Sequence, residues 1–404
     1  MIRPRSAAFG SMWADLLPVG RMGSGGYRRF AWTAADMACR EWFRGEAATR
    51  GMDVDTDRNG NLWAWLGPPG PDSFVTGSHL DSVPGGGAYD GPLGVVSGFA
   101  AIDALRARGC TPKRPIAVVA FTDEEGARFG VACLGSRLST GAADPARTLA
   151  LTDSDGTRLD EAMSAQGHDP VHVGADPGAL QRIGVFVELH VEQGRALVDL
   201  GAPIGLATAI WPHGRWRYDF AGEGNHAGTT ALADRRDPML SYAMTVLAAR
   251  KQARLAGALA TFGKVTVDPG GTNAIAAGVT AWLDSRAPDE ATLTDLVTAI
   301  AAQATERAGR DGVRLSVTAE SVTPLVDFPA GQLDWAATAL GDPPRLATGA
   351  GHDAGVLARA GVPTAMLFVR NPTGVSHSPA EHADQDDCLA GVAALTELMV
   401  RHAC

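Results

Sequence analysis

Residues 116–121 read Ile-Ala-Val-Val-Ala-Phe, an unbroken apolar run entered through Pro115 and left through Thr122-Asp123-Glu124-Glu125-Gly126. Its length and its bounding turn residues predict a strand buried on both faces. Residues 184–189 and 363–369 repeat the pattern. Residues 62–66 and 73–78 read as further strands, with the Pro68–Pro71 turn region between them, and 95–108 has helical periodicity up to a stop at Gly109. Strands buried on both sides need helices on both sides. The expected fold is therefore α/β, with a three-layer domain around a mostly parallel sheet.

The middle of the chain follows another rhythm. A strand at 215–222, a helix at 237–255, strands at 258–267 and 278–287, a helix at 290–307 and a strand at 313–321 form a β-α-β-β-α-β series. That order is the ferredoxin-like α+β arrangement. It interrupts the α/β domain, so the expected organisation is 1–205, an inserted domain at 206–322, and 323–404 returning to the first domain.

Composition narrows the partners. Lys+Arg 35 against Asp+Glu 45 leaves a net charge of −10, which disfavours nucleic acid and anionic membrane. The five cysteines (Cys39, Cys110, Cys133, Cys388, Cys404) are odd in number, scattered and without a C-x-x-C pair. They predict no disulfide framework and no structural zinc, and a reducing cytoplasm as the compartment. Residues 1–20 carry charges and Pro18 before any adequate apolar stretch, so neither a leader nor a membrane span is expected.

Chemistry-bearing residues gather where these strands end. His79-x-Asp81 continues the 73–78 strand, and residues two apart on a strand project to one face. One can ligate an ion while the other orients the imidazole. The glycine-rich stretch 84–91 ends on Asp90-Gly91; a dinucleotide fingerprint is excluded there because a carboxylate would repel a pyrophosphate. Glu124 and Glu125 leave the 116–121 strand side by side and cannot both face one way. Glu125 is therefore assigned to an ion and Glu124 to proton transfer. His190 ends another buried run, and His377 lies in the loop after residues 363–369. His, Asp and Glu in this mixture suit a borderline divalent ion, and the set reads as a two-metal hydrolytic centre. Serine-hydrolase and zincin readings fail, for the chain has no G-x-S-x-G and no H-E-x-x-H.

The blocks GSHLDSV, GGGAYDG, ELHVEQG, NHAGTT, GTNAIA, GAGHDA and GVSHSPAE together resemble the M20 metallopeptidase/amidohydrolase superfamily. Within it they resemble the carbamoylase branch of N-carbamoyl-L-amino acid hydrolases, β-ureidopropionases and allantoate amidohydrolases. The resemblance implies a zinc-peptidase-like catalytic domain with an inserted lid and dimerisation domain. It implies two divalent ions held by His79, Asp90, Glu125, His190 and His377, with Asp90 bridging; zinc comes first, with manganese, cobalt and nickel as alternatives. Asp81 would support the metal site and Glu124 would be the general base. His226 would reach the active site across a homodimer interface to stabilise an oxyanion, while Gln193, Asn273, Arg286 and His352 would line the substrate. The implied partner is a small N-carbamoyl or ureido carboxylate.

Three stretches depart from the family pattern: Ala231-Leu232 where a Pro-Met pair is expected, Ser285 before Arg286, and Pro212-His213-Gly214. The amino-acid moiety stays open, as does the choice among carbamoyl, allantoate, formyl and formimidoyl groups. Peptidases and deacylases share nearly the same ligands. An inactive scaffold serving as a binding protein is the remaining alternative.

Overall fold

The computed structural model describes residues 6–404. Residues 1–5, part of the stretch read above as carrying no leader, lie outside them; the helix Ser6–Leu16 follows. The chain divides into two compact units, one formed by Ala209–Val326 and the other by the chain on either side of it. Sequence had put the inserted segment at 206–322.

The first unit begins with β1 (Asp53–Thr56), β2 (Leu62–Leu66), β3 (Phe74–His79), β4 (Ile116–Phe121), β5 (Val185–Val191) and β6 (Ile204–Ile210). The second unit holds β7 (His213–Ala221), β8 (Asn225–His226), β9 (Leu259–Asp268), β10 (Ala274–Ile275), β11 (Gly278–Arg286) and β12 (Arg314–Thr323). The chain then returns through β13 (Val326–Asp327), β14 (Arg345–Thr348) and β15 (Thr364–Val369). The large sheet runs β1-β2-β4-β3-β5-β15-β6-β13, with β14 beside β6. Its centre, β4-β3-β5-β15, is parallel throughout, and antiparallel strands flank it.

All residues of β3, β4, β5 and β15 are buried, as the apolar runs require. Alternation sorts them into two faces. Ile116, Val118 and Ala120 share one face with Val187, Leu189 and Leu367. That face packs against Phe99 and Leu105 of the helix Pro92–Ala107 and Leu395, Leu398 and Met399 of the helix Gln385–Ala403. Each such fully buried side chain contributes about 1.5–3 kcal/mol. Glu188, His190 and Phe368 point to the opposite face, where the helix Asp353–Arg359 packs on β5 and β15. The sheet thus lies between two helical layers. Gly77 sits in β3 at φ 149°, and a Cβ there would run into the Val119 carbonyl of β4. Only glycine admits that strand spacing.

One expectation about cysteine is corrected. Cys110 and Cys404 are disulfide-bonded, with Cα atoms 6.2 Å apart and 294 residues between them in sequence. The helices Pro92–Ala107 and Gln385–Ala403 pack side by side. The Lys113 N–H donates to the Ala403 carbonyl at 2.6 Å, which brings the chain after the first helix to the end of the second. No local spacing could reveal this pair. Cys39, Cys133 and Cys388 remain free and buried.

In the second unit the sheet order is β12-β7-β11-β9, antiparallel throughout. This is the ferredoxin-like order predicted from the β-α-β-β-α-β series. Trp216, Tyr218, Phe220, Val279 and Leu283 form its core with Leu293, Leu296 and Ile300 of the helix Glu290–Arg310. The small β8–β10 ladder is an addition that sequence reading missed. No helix among the described residues is long and apolar enough to cross a membrane.

Candidate metal centre

Because β4, β3, β5 and β15 are parallel, their carboxyl ends lie along one edge of the sheet, where open α/β sheets build their sites. His79 is the last residue of β3, and Asp81 lies two residues beyond it. Glu124 and Glu125 follow β4, His190 lies near the end of β5, and His377 occupies the loop after β15. Asp90 closes the glycine-rich loop that leads into the helix Pro92–Ala107. His377 adopts a left-handed backbone at φ 55°, uncommon outside glycine.

Asp90 is the centre of the cluster. Its Oδ1 lies 3.5 Å from His79 Nε2 and 3.2 Å from His190 Nε2. Its Oδ2 lies 3.4 Å from His377 Nε2, which is also 3.6 Å from Glu125 Oε2. The carboxylate therefore divides the ligand-type residues into His79–Asp90–His190 and Asp90–Glu125–His377. In each group the donor atoms lie within 4.8 Å of one another. Burial would raise the Asp90 carboxyl, but His190, His377 and His79 together hold it well below the usual carboxylate range.

The donors are set for a cation. His79 Nδ1 faces the Asp81 carbonyl at 3.2 Å, and His190 Nδ1 faces the Val191 carbonyl at 2.9 Å. With Nδ1–H donating there, each Nε2 presents a lone pair towards Asp90. Both Nε2 atoms and Glu125 Oε1 are buried and make no hydrogen bond among the described residues. Buried polar atoms without partners are costly, and a bound ion removes that cost. The only ion-pair partners of Asp90, Glu124 and Glu125 among the described residues are histidines. The donor set thus fits divalent metal.

Asp81 joins the two acidic segments. Its Oδ1 accepts the Glu124 N–H at 3.1 Å and its Oδ2 the Glu125 N–H at 3.0 Å, while Oδ1 stands 3.4 Å from His79 Nδ1. Glu124 points away from Glu125: its Oε1 accepts from the Cys133 thiol at 3.2 Å, and its Oε2 is 3.7 Å from His79 Nε2. Burial, opposed by His79, raises the Glu124 carboxyl well above its usual value. Burial and the neighbouring Asp90 push Glu125 up to about 7. The Asp90 hydrogen bond lifts His377 to about 9.

The remaining residues singled out from sequence separate into three places. Gln193 reaches the cluster, but its Nε2 donates to Asp90 Oδ2 at 2.7 Å and to Ser376 Oγ at 3.1 Å. His352 stacks edge-on against His190, with ring centroids 4.5 Å apart. His226, Asn273 and Arg286 belong to the second unit. There His226 pairs with Ala274 across the β8–β10 ladder, and the Ala227 N–H donates to the Asn273 carbonyl, so those two residues are neighbours. Arg286 lies at the far end of β11, eight residues beyond Gly278, or roughly 26 Å along the strand. Asp284 forks its guanidinium at 2.9 and 3.2 Å.

Sequence reading gave no role to Glu381, Ser376, Glu188, Asp353 or Cys133. Glu188 and His352 also lie within ligand distance of His190. Glu188, however, already accepts from Ser78 at 2.6 Å and from the Ala354 N–H at 2.9 Å, so it supports β5 rather than an ion. Glu381, Ser376, Glu188 and Asp353 stood in quoted blocks and Cys133 did not, and nothing local distinguished any of them.

Residues 75–401 match peptidase family M20/M25/M40. The chain is 37% identical to an N-carbamoyl-L-amino acid amidohydrolase of Geobacillus stearothermophilus, covering 95% of this chain and 96% of that one. It is 32% identical to the allantoate amidohydrolase of Escherichia coli K12, covering 93% of each. A crystal structure of a hydantoinase/carbamoylase family amidase from Burkholderia vietnamiensis superposes with a TM-score of 0.88 at 29% identity, covering 100% of this chain and 98% of that one. With its sheet, its ligand-type cluster and this family match spanning most of its length, the chain belongs to peptidase family M20/M25/M40.

Proposed function

We propose that this protein is a metal-dependent amidohydrolase that cleaves the ureido C–N bond of a small N-carbamoyl amino acid or of allantoate, releasing ammonia. The observation that carries the reading is the shared Asp90 carboxylate, one oxygen towards His79 and His190 and the other towards His377 beside Glu125. His79, Asp90 and His190 would hold one divalent ion and Asp90, Glu125 and His377 the other. Zinc is the first choice, with manganese, cobalt and nickel also suited to these donors. Bound there, such ions supply a Lewis acid and a water of lowered pKa.

The chain's own residues do the rest. Glu124, turned away from Glu125 and made more basic by burial, takes a proton during attack and returns it to the leaving amine. Asp81 keeps His79 and the backbone of both glutamates in register. His226 supplies a donor to the developing oxyanion, and Asn273 adjoins it. Arg286 grips the substrate carboxylate, its plane preset by the Asp284 fork. Because Arg286 lies roughly 26 Å along β11 from the end that carries His226 and Asn273, those two would come from the partner copy. Gln193 and His352 line the reacting end. The relatives' names support the ureido substrate over formyl, formimidoyl or peptide alternatives.

A homodimer formed through the second unit completes this reading. Leu240, Met244 and Leu247 recur at helical spacing on Pro238–Ala256 and are exposed. β9 is an edge strand whose Val265 and Val267 are also exposed. An apolar stripe beside an unpaired strand edge suits a second copy of the same surface.

The reading is tested by ammonia release from zinc- or manganese-loaded protein on allantoate, N-carbamoyl-L-amino acids, N-carbamoyl-β-alanine and N-formimidoyl-glutamate, with a dipeptide as control. Turnover of a ureido compound, abolished by chelation and restored by metal, is expected; activity confined to the dipeptide would overturn it. Glu124→Gln should lower kcat by roughly 10²–10⁴-fold while metal content stays unchanged. Arg286→Lys should raise KM by about tenfold or more, since a point charge replaces a planar fork; an unaltered KM would remove Arg286 from the substrate site. Light scattering should give the mass of two chains for the native protein and of one for Met244→Glu/Leu247→Glu. A native monomer would exclude the dimer.

A further inference from the structure

We propose that Glu381 is a positioning residue that latches the Asp90 loop to the His377 loop and so sets the spacing of the metal donors. The proposal rests on the metal reading above and concerns a side chain that reading does not use. Glu381 is 5% exposed. Its Oε1 accepts the N–H groups of Tyr89 at 2.8 Å and of Asp90 at 2.9 Å. Its Oε2 is 3.1 Å from Ser376 Oγ, and Ser376 immediately precedes His377. The same hydroxyl lies 3.1 Å from Asp90 Oδ2. One carboxylate therefore grips the backbone of the shared ligand and the neighbour of another, across 291 residues of sequence.

Two further features show that the latch is built in. The Glu381 N–H donates to the Ser378 carbonyl at 3.0 Å, which folds the His377 loop back so that the carboxylate faces Asp90. A Cβ at position 87 would overlap the Glu381 carboxylate, so glycine there is what lets the two loops approach. Glu381 is not itself placed as a ligand: it belongs to neither donor group around Asp90. Hydrogen bonds from backbone N–H to a buried carboxylate are charge-assisted and directional, and partners of this kind change metal affinity by about 10- to 100-fold.

The experiment measures zinc binding alone, by competition with a chromophoric chelator, on the full chain and three variants. Urea unfolding of the zinc-free proteins runs alongside. Glu381→Ala should weaken zinc binding by about 10- to 100-fold and leave the zinc-free protein folded. Glu381→Gln should stay within about threefold of the native protein, since its amide oxygen can accept the same two N–H groups. Gly87→Ala, which displaces the carboxylate without removing it, should weaken zinc by about tenfold or more. Native zinc affinity in Glu381→Ala overturns the latch, as does a Gln variant as weak as the Ala variant. If Glu381→Ala does not fold, Gly87→Ala decides, and native affinity there overturns it. A native protein that binds no zinc overturns the metal reading and the latch with it; tight binding by the native protein and all variants overturns the latch alone.

Discussion

Everything in the first unit depends on four strands running the same way. Parallel pairing of β4, β3, β5 and β15 forces each connection to cross a face of the sheet, which is why helices cover both sides and why those strands are buried throughout. It also leaves four carboxyl ends at one edge. His79, the Glu124–Glu125 pair, His190 and the loop bearing His377 leave from those ends, and Asp90 sits at the start of a crossover helix. The cluster is a consequence of the strand direction.

What the edge gathers is electrostatically unstable by itself. Asp81, Asp90 and Glu124 are almost wholly buried, and Glu125 lies beside them. The structure balances them in two ways. Imidazoles surround Asp90, and backbone N–H groups are directed at Asp81 and Glu381. The Nε2 atoms of His79 and His190 remain without hydrogen bonds in that surround, and a cation satisfies them together with the carboxylates. The second unit carries His226 and Asn273 beside one end of its four-stranded sheet and Arg286 at the other.

Much of this was legible because burial leaves a mark on local sequence. The apolar runs at 116–121, 184–189 and 363–369 became β4, β5 and β15 within a residue or two, and the β-α-β-β-α-β series became a ferredoxin-like sheet. Ligand-type residues stood out because His, Asp and Glu at the ends of such runs are unusual on ordinary surfaces. Other features left no such mark. The Cys110–Cys404 bond depends on two helix ends meeting across 294 residues, and the β8–β10 ladder is two residues long. That Gln193 donates to Asp90 was not legible either, because its orientation depends on Ser376 from a remote loop.

Sequence alone determined the layers, the interruption of one domain by another and the kinds of donor available, since these follow from hydrophobic period and residue chemistry within short windows. Tertiary structure decided how the donors divide around the two oxygens of Asp90, which glutamate faces the His377 side, and that Glu381 holds the loops together. Those are matters of distance and direction between segments up to 291 residues apart. Hydrogen bonds and ion pairs weaken within an ångström or so and with angle, so only the packed fold can specify them.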